Sequence, residues 1–338
     1  MVLRLAASLA LGLLPVLTFV FVLVLLDSYK LVPPRRVVRR LALGALAAVA
    51  SLGVHALMDR RLGLDAAAQA RYLAPVAEEL LKGTALVALL ARRRVGFLVD
   101  AAISGFAIGA GFAAVENLHY LATLRDTSLV LWTVRGFGTA VMHGSTLAIM
   151  AVVAKSLSDR RGTVTPATVL PGWGLAVVLH SLFNHFLVSP NASAALLLVA
   201  LPAFFGAVFR VSEARTRTWL GTSFDTDQEL LALVNAGRVS DSRIGRYLAE
   251  LERRLPGTVV ADLVCLLRLR LELAIRAKGI LIMRKAGFRV PPDPDFGERF
   301  AELRYLERAV GPTALRALAP ALNLSDRDLW QYELLDDR

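Results

Sequence analysis

Residues 97–124 read FLVDAAISGFAIGAGFAAVENLHYLATL. A helix needs about 20 mostly apolar residues to cross roughly 30 Å of hydrocarbon, and this run exceeds that length. Backbone polar groups in lipid have to be satisfied internally, so the run predicts a membrane-spanning helix. Its last turns nevertheless carry Glu116 and Asn117, followed by His119. A charged group at a helix centre costs about 2.5–3.5 kcal/mol on insertion scales, so polar residues here point to function.

Working outward, comparable apolar stretches run Leu5–Leu26, Leu41–Met58, Ala74–Ala91, Leu129–Val153, Val169–Val188 and Ala192–Phe209. Together they predict an all-α fold: a polytopic membrane helix bundle of about seven spans, embedded in a lipid bilayer. The first run is too long for the apolar core of a signal peptide and reads as an uncleaved anchor. Small residues cluster on two spans, Ser104, Gly105, Gly109 and Gly111 on one and Gly136, Gly138 and Gly144 on the next. Their plainest use is close helix packing.

Composition agrees. Hydrophobic residues make up 56% and charged residues 20%, with a mean hydropathy of +0.55. A single soluble globule and a disordered chain are both excluded. The lone Cys265 excludes an internal disulfide and any multi-cysteine metal site. The net charge of +11 raises nucleic acid as a partner until the charge is located. Residues 1–210 carry 19 Lys+Arg against 9 Asp+Glu, and residues 211–338 carry 20 against 19. An excess confined to the apolar half sets membrane orientation and does not form a nucleic-acid face. Alternate loops on one side, including Lys30, Arg35, Arg36, Arg39, Arg40 and Arg92–Arg94, hold 12 basic residues against 5 on the other. The expected location is the cell membrane, multi-pass, with the N-terminus extracytoplasmic and the C-terminus cytoplasmic.

Two domains are expected, a transmembrane domain over 1–210 and a soluble, cytosolic helical domain over 211–338. In the second, Thr226-Asp227-Gln228-Glu229 fits a capping box opening a helix. Helices are expected over Ser240–Arg254, Phe296–Val310, Pro312–Leu322 and Asp326–Leu335. The apolar run Val259–Met283 contains Asp262, Arg268, Arg270, Glu272, Arg276 and Lys278. That charge load makes it a long amphipathic helix, not a further span.

The chemistry gathers inside the spans. Glu78, Glu79 and Lys82 lie on the third, Glu116 and Asn117 on the fourth, Arg135 and His143 on the fifth, His180 and Asn184 on the sixth. Glu78 and Lys82 are four apart and share a helix face, which suggests an ion pair. Glu79 lies about 100° round from Glu78, so the two carboxylates are expected to point at different places. Followed along the alternating spans, the polar groups of all four helices fall in the outer half of the membrane. A carboxylate beside imidazoles in a wet intramembrane cavity can act as general base toward water, with His and Asn donors for an oxyanion. Glu116, His143 and His180 are equally legitimate zinc ligands, although His180-Ser-Leu-Phe-Asn184 is not the HExxH signature. His55, His119 and His185 read as interfacial rings.

Glu78-Glu79-Leu80-Leu81-Lys82, Phe112-Ala113-Ala114-Val115-Glu116-Asn117, a single His143 and His180-Ser181-Leu182-Phe183-Asn184 follow one another, one set per helix. This order resembles the PrsW family of bacterial intramembrane proteases, distant relatives of the type II CAAX-prenyl proteases. Those relatives carry EExxxR and FxxxH. The shorter EExxK and the Glu at position 116 are the PrsW form. The resemblance implies an intramembrane endopeptidase making a site-1-type cut in a single-pass membrane protein, typically an anti-sigma factor, on the extracytoplasmic side. It also implies catalytic roles: Glu78 as base with Glu79 its neighbour, Glu116 and His143 as active-site positions, His180 and Asn184 as an oxyanion or water-binding pair. Glutamate chemistry with no cofactor is favoured over a zinc site. A proton or ion pathway and a non-catalytic scaffold are the competing readings. A transporter would more typically show repeated halves with broken helices, and a scaffold should have lost part of so costly a polar set.

Overall fold

The computed structural model describes residues 2–62, 65–124, 128–291, 294–322, 330–332 and 335. Among these the chain is helical, with no strand: α1 Val2–Leu26, α2 Pro34–Leu62, α3 Ala66–Ala68, α4 Ala74–Ala91, α5 Leu98–Thr123, α6 Leu129–Val134, α7 Val141–Arg161, α8 Pro166–Asn184, α9 Pro190–Asn235, α10 Arg243–Glu252, α11 Gly257–Lys285 and α12 Phe296–Leu322. Two π-helical stretches interrupt the pattern, Gln69–Leu73 before α4 and Arg135–Ala140 between α6 and α7. Loop residue Arg125 and most of the helix expected over Asp326–Leu335 lie outside the described residues.

Among the described residues six helices are long and apolar enough to cross a membrane: Val2–Leu26, Pro34–Arg61, Leu98–Thr123, Leu129–Arg161, Pro166–Asn184 and Pro190–Asn235. Seven stretches were expected. The remaining one, Ala74–Ala91, is indeed a helix, but Glu78, Glu79 and Lys82 fall within its 18 residues and lower its apolar character. Those three side chains are buried inside protein, where Glu79 and Lys82 offset each other's charge.

The chain divides into two compact units, Met1–Glu213 and Ala214–Arg338. In the first, α5 is the central helix, buried for most of its length and packed against α2 and α7. The small residues make this approach physical. A Cβ on Gly109 would overlap the His143 carbonyl oxygen, and one on Gly111 would overlap the carbonyl of Leu41. At the start of α5, Arg40 Nη2 lies 3.1 Å from Asp100 Oδ1, while Asp100 Oδ2 accepts the Gly96 N–H at 2.9 Å. Arg36 and Arg40 therefore do more than set loop charge, being almost entirely buried.

In the second unit, the capping box expected at Thr226 does not form. Helix α9 runs unbroken to Asn235, and the Thr226 hydroxyl donates to the Thr222 carbonyl one turn back. The run predicted to be amphipathic is α11, which buries Leu263, Leu266, Leu267 and Leu273. Its Lys278 ammonium meets Asp227 Oδ2 of α9 at 2.5 Å, and its Glu272 accepts from Arg299 of α12 at 2.9 Å. Gly311, with φ of 77°, bends α12 at the point where Gly311-Pro312 was expected to end a helix.

Substituting Gly109 by Val should separate α5 from α7. We expect the thermal midpoint of the detergent-solubilised protein to fall by an amount equivalent to about 1–3 kcal/mol. Wild-type stability in that variant would show that the close contact is dispensable.

Candidate active site

The site lies where four helices present their polar ends. Pro75 is the second residue of α4, whose first turns carry Glu78 and Glu79. A capping box between Thr165 and Thr168, with Pro166 at the first helical position, fixes the start of α8, and His180 sits in its last turn. Glu116 lies toward the end of α5 and His143 at the start of α7. A cavity of about 440 Å³ opens here, lined among others by His55, Glu78, Glu116, His143, His180 and Asn184.

Glu79 does not line the cavity and sits behind it, fully buried. Its Oε1 accepts from the Lys82 ammonium at 2.6 Å, from the Thr146 hydroxyl at 3.1 Å and from His180 Nδ1 at 2.8 Å. The ion pair expected between Glu78 and Lys82 is thus made by Glu79 instead. Positions three and four apart both face one another on a helix, so sequence spacing leaves the choice open. The Lys82 ammonium also lies 3.0 Å from His143 Nδ1 and over the Phe112 ring.

Glu116 pairs on its other side. His143 Nε2 is 3.1 Å from Glu116 Oε2, and Arg135 Nη2 lies 3.3 Å from the same oxygen. Arg135 Nε donates to Asn117 Oδ1 at 2.8 Å, its guanidinium covers the Tyr120 ring, and Asn117 donates to the Gly12 carbonyl.

Glu78 has no such cation. Three imidazoles surround it: His55 Nε2 at 3.5 Å from Oε1, His180 Nε2 at 3.9 Å and His143 Nδ1 at 4.0 Å from Oε2. Its Oε2 is buried and, among the described residues, accepts no hydrogen bond. The two carboxylates expected to diverge therefore meet the same ring, Glu79 at His180 Nδ1 and Glu78 facing Nε2.

Glu78, His143 and His180 each offer a donor atom within 4.8 Å of the others, a set that suits a metal ion. His180 supports that fit, because a ligating imidazole commonly donates its other N–H to a carboxylate. His143 fits less well, since both of its nitrogens already face partners.

Of the residues singled out from sequence, Glu78, Glu116, His143 and His180 come together around the cavity, with Glu79 directly behind. Asn184 reaches the rim, where its amide donates to the Ala70 carbonyl at 2.9 Å. Beside it Ser181 donates to the Arg71 carbonyl. His185 has Nδ1 at the Ser181 carbonyl and its ring against Tyr72. His55, read as interfacial, instead stands beside Glu78. Its expected position near the outer end of its span matched the depth expected of the other polar groups and was the available signal. Thr146 was missed. It lies three residues beyond His143 and so on nearly the same helix face.

A family model described as PrsW family intramembrane metalloprotease matches residues 32–209, more than half of the chain. No curated protein and no solved structure matches.

The partners predict different roles for the adjacent acids. Glu79→Gln leaves the buried Lys82 ammonium without a counter-charge and should cost about 3–5 kcal/mol, or roughly 10 °C of thermal midpoint. Glu78→Gln removes a buried charge that has no cation, and should leave the midpoint unchanged or higher. Thermal unfolding of the two purified variants makes the comparison, and equal losses would contradict it.

Proposed function

The chain belongs to the PrsW family of intramembrane proteases and is a multi-pass membrane peptidase, and from that premise we propose that Glu78 is the general base. The observation that carries this is the isolation of its carboxylate: buried at the cavity wall, unpaired by Lys82 or Arg135, and ringed by imidazoles. In the step we infer, a water oxygen bonds to the scissile carbonyl carbon while Glu78 takes the water proton. The carbonyl π pair moves to oxygen, where the second amide N–H of Asn184, at the cavity rim, offsets the charge. The tetrahedral adduct then expels the amine, the C–N bond breaks, and Glu78 returns the proton to the leaving nitrogen.

The substrate we propose is a single-pass membrane protein, an anti-sigma factor being the type the family suggests, cut on the extracytoplasmic side. The loop-charge imbalance supports that orientation, with the N-terminus outside and the C-terminus in the cytoplasm. Residues 1–210 would form the catalytic domain and 211–338 a cytosolic accessory domain.

A second reading rests on the donor set of Glu78, His143 and His180. These side chains would hold a zinc ion, which when bound supplies Lewis-acid polarisation and a more acidic water. Lys82 stands against this arrangement, because its ammonium already occupies His143 Nδ1.

Cleavage of a co-expressed single-pass substrate tests the assignment. Glu78→Gln should lower the rate by about 10²–10⁴-fold while membrane insertion is retained, and undiminished cleavage would end the proposal. Full activity after exhaustive chelation supports the glutamate reading. Loss on chelation that added zinc restores supports the metal.

A further inference from the structure

We propose that Lys82 is a positioning residue which, together with Glu79, holds the two site histidines in opposite tautomers: His143 protonated on Nε2 and His180 on Nδ1. The inference deepens the peptidase reading and rests on it for its consequence in the reaction, but not for the tautomers themselves.

The argument is one of donors and acceptors. An ammonium only donates, and an ionised carboxylate only accepts. Lys82 Nζ is 2.6 Å from Glu79 Oε1 and 3.0 Å from His143 Nδ1, so it donates to both. His143 Nδ1 must then carry a lone pair, and the ring proton is on Nε2. That nitrogen faces Glu116 Oε2 at 3.1 Å, an acceptor, which suits the same tautomer. His180 is set the other way. Its Nδ1 faces Glu79 Oε1 at 2.8 Å and must donate, which leaves the lone pair of the neutral ring on Nε2. That atom faces Glu78 Oε2 at 3.9 Å. A water roughly 2.8 Å from both atoms would donate one hydrogen to each, at ordinary hydrogen-bond lengths. The oxygen of such a water is free to attack, while the Nε2–H of His143 stays with Glu116.

Packing removes the alternatives. Lys82 and Glu79 are completely enclosed, and His143 and His180 nearly so. The groups facing His143 come from three helices: Lys82 and Glu78 of α4, Glu116 and the Phe112 ring of α5, and the His180 ring of α8 at 4.8 Å and 88°. Among these described contacts none offers His143 Nδ1 an acceptor closer than Glu78 at 4.0 Å, so the Lys82 contact decides its tautomer. The same lysine thus neutralises one glutamate and orients one imidazole, and through Glu79 it orients the second.

The chain has five histidines, so ¹⁵N-histidine labelling of the purified full-length protein gives a spectrum that single His→Gln variants can assign. We expect His143 protonated on Nε2 and His180 on Nδ1. Two rings in the same tautomer, or His143 protonated on Nδ1, would overturn the proposal whether or not Glu78 proves to be the base. Lys82→Met supplies the second measurement. A lysine that only balances charge would lower stability and leave the folded protein's tautomers and kcat as they were, and that result would refute the proposal. A positioning lysine instead gives mixed His143 signals and a kcat reduced by roughly 10- to 100-fold, the range for loss of an orienting partner, with KM within about twofold. Should Lys82→Met fail to accumulate as folded protein, the wild-type spectrum alone decides.

Discussion

Two cations serve three carboxylates, and that mismatch organises the site. Lys82 is committed to Glu79 and Arg135 to Glu116, each at ion-pair distance inside a packed bundle. Breaking such a pair strands a charge away from water and is costly, so neither cation can be spared for Glu78. Glu78 is left with groups whose charge is optional, the imidazoles of His55, His143 and His180. An acid held this way can bind and release a proton without dismantling an ion pair. Glu79 contributes by the opposite route. Three donors on one oxygen tie α4, α7 and α8 together and fix the wall against which Glu78 works.

Much of this was legible in the sequence because lipid is an unforgiving solvent. Apolar length gave the spans, and charged residues inside them stood out against a background in which such residues are expensive. Matching their depths along alternating helices brought Glu78, Glu116, His143 and His180 together before any coordinates. Pairing was harder to read. Lys82 has two acids within one helical turn, and only the neighbouring helices, through Thr146 and His180, favour Glu79. The Thr226 box misled for a related reason: a hydroxyl, aspartate and glutamate in capping register suit a helix start, yet they also tolerate a helix interior in which Thr226 bonds back to Thr222. Local signals of this kind are settled by the helix that arrives from upstream, here α9.

Backbone irregularity was the part with no sequence signal. Both π-helical stretches border the cavity, with Gln69 and Ala70 from one and Thr139 from the other in its lining. The first is held from α8 by Ser181 and Asn184, whose side chains bond the carbonyls of Arg71 and Ala70. The second stretch carries Arg135 to Glu116 and Tyr120 at the head of the helix that delivers His143. π-Helical turns recur at functional sites, and here each is tied to a site residue by a named contact.

Packing and chemistry share one stripe of α5. Gly105, Gly109, Phe112 and Glu116 follow at spacings of four, three and four, which keeps them on one helical face. The two glycines remove side chains where the α7 backbone arrives, at Leu147 and His143. Two turns beyond Gly109, the space closed by that approach places the Glu116 carboxylate within hydrogen-bonding reach of the His143 ring, while Phe112 between them packs on both His143 and Lys82. A side chain at Gly109 would push α7 outward at the very residue whose imidazole the site needs. The small residues that first read as packing alone are in this way a condition for the geometry: without so close a backbone contact, the α5 carboxylate and the α7 imidazole could not share a proton.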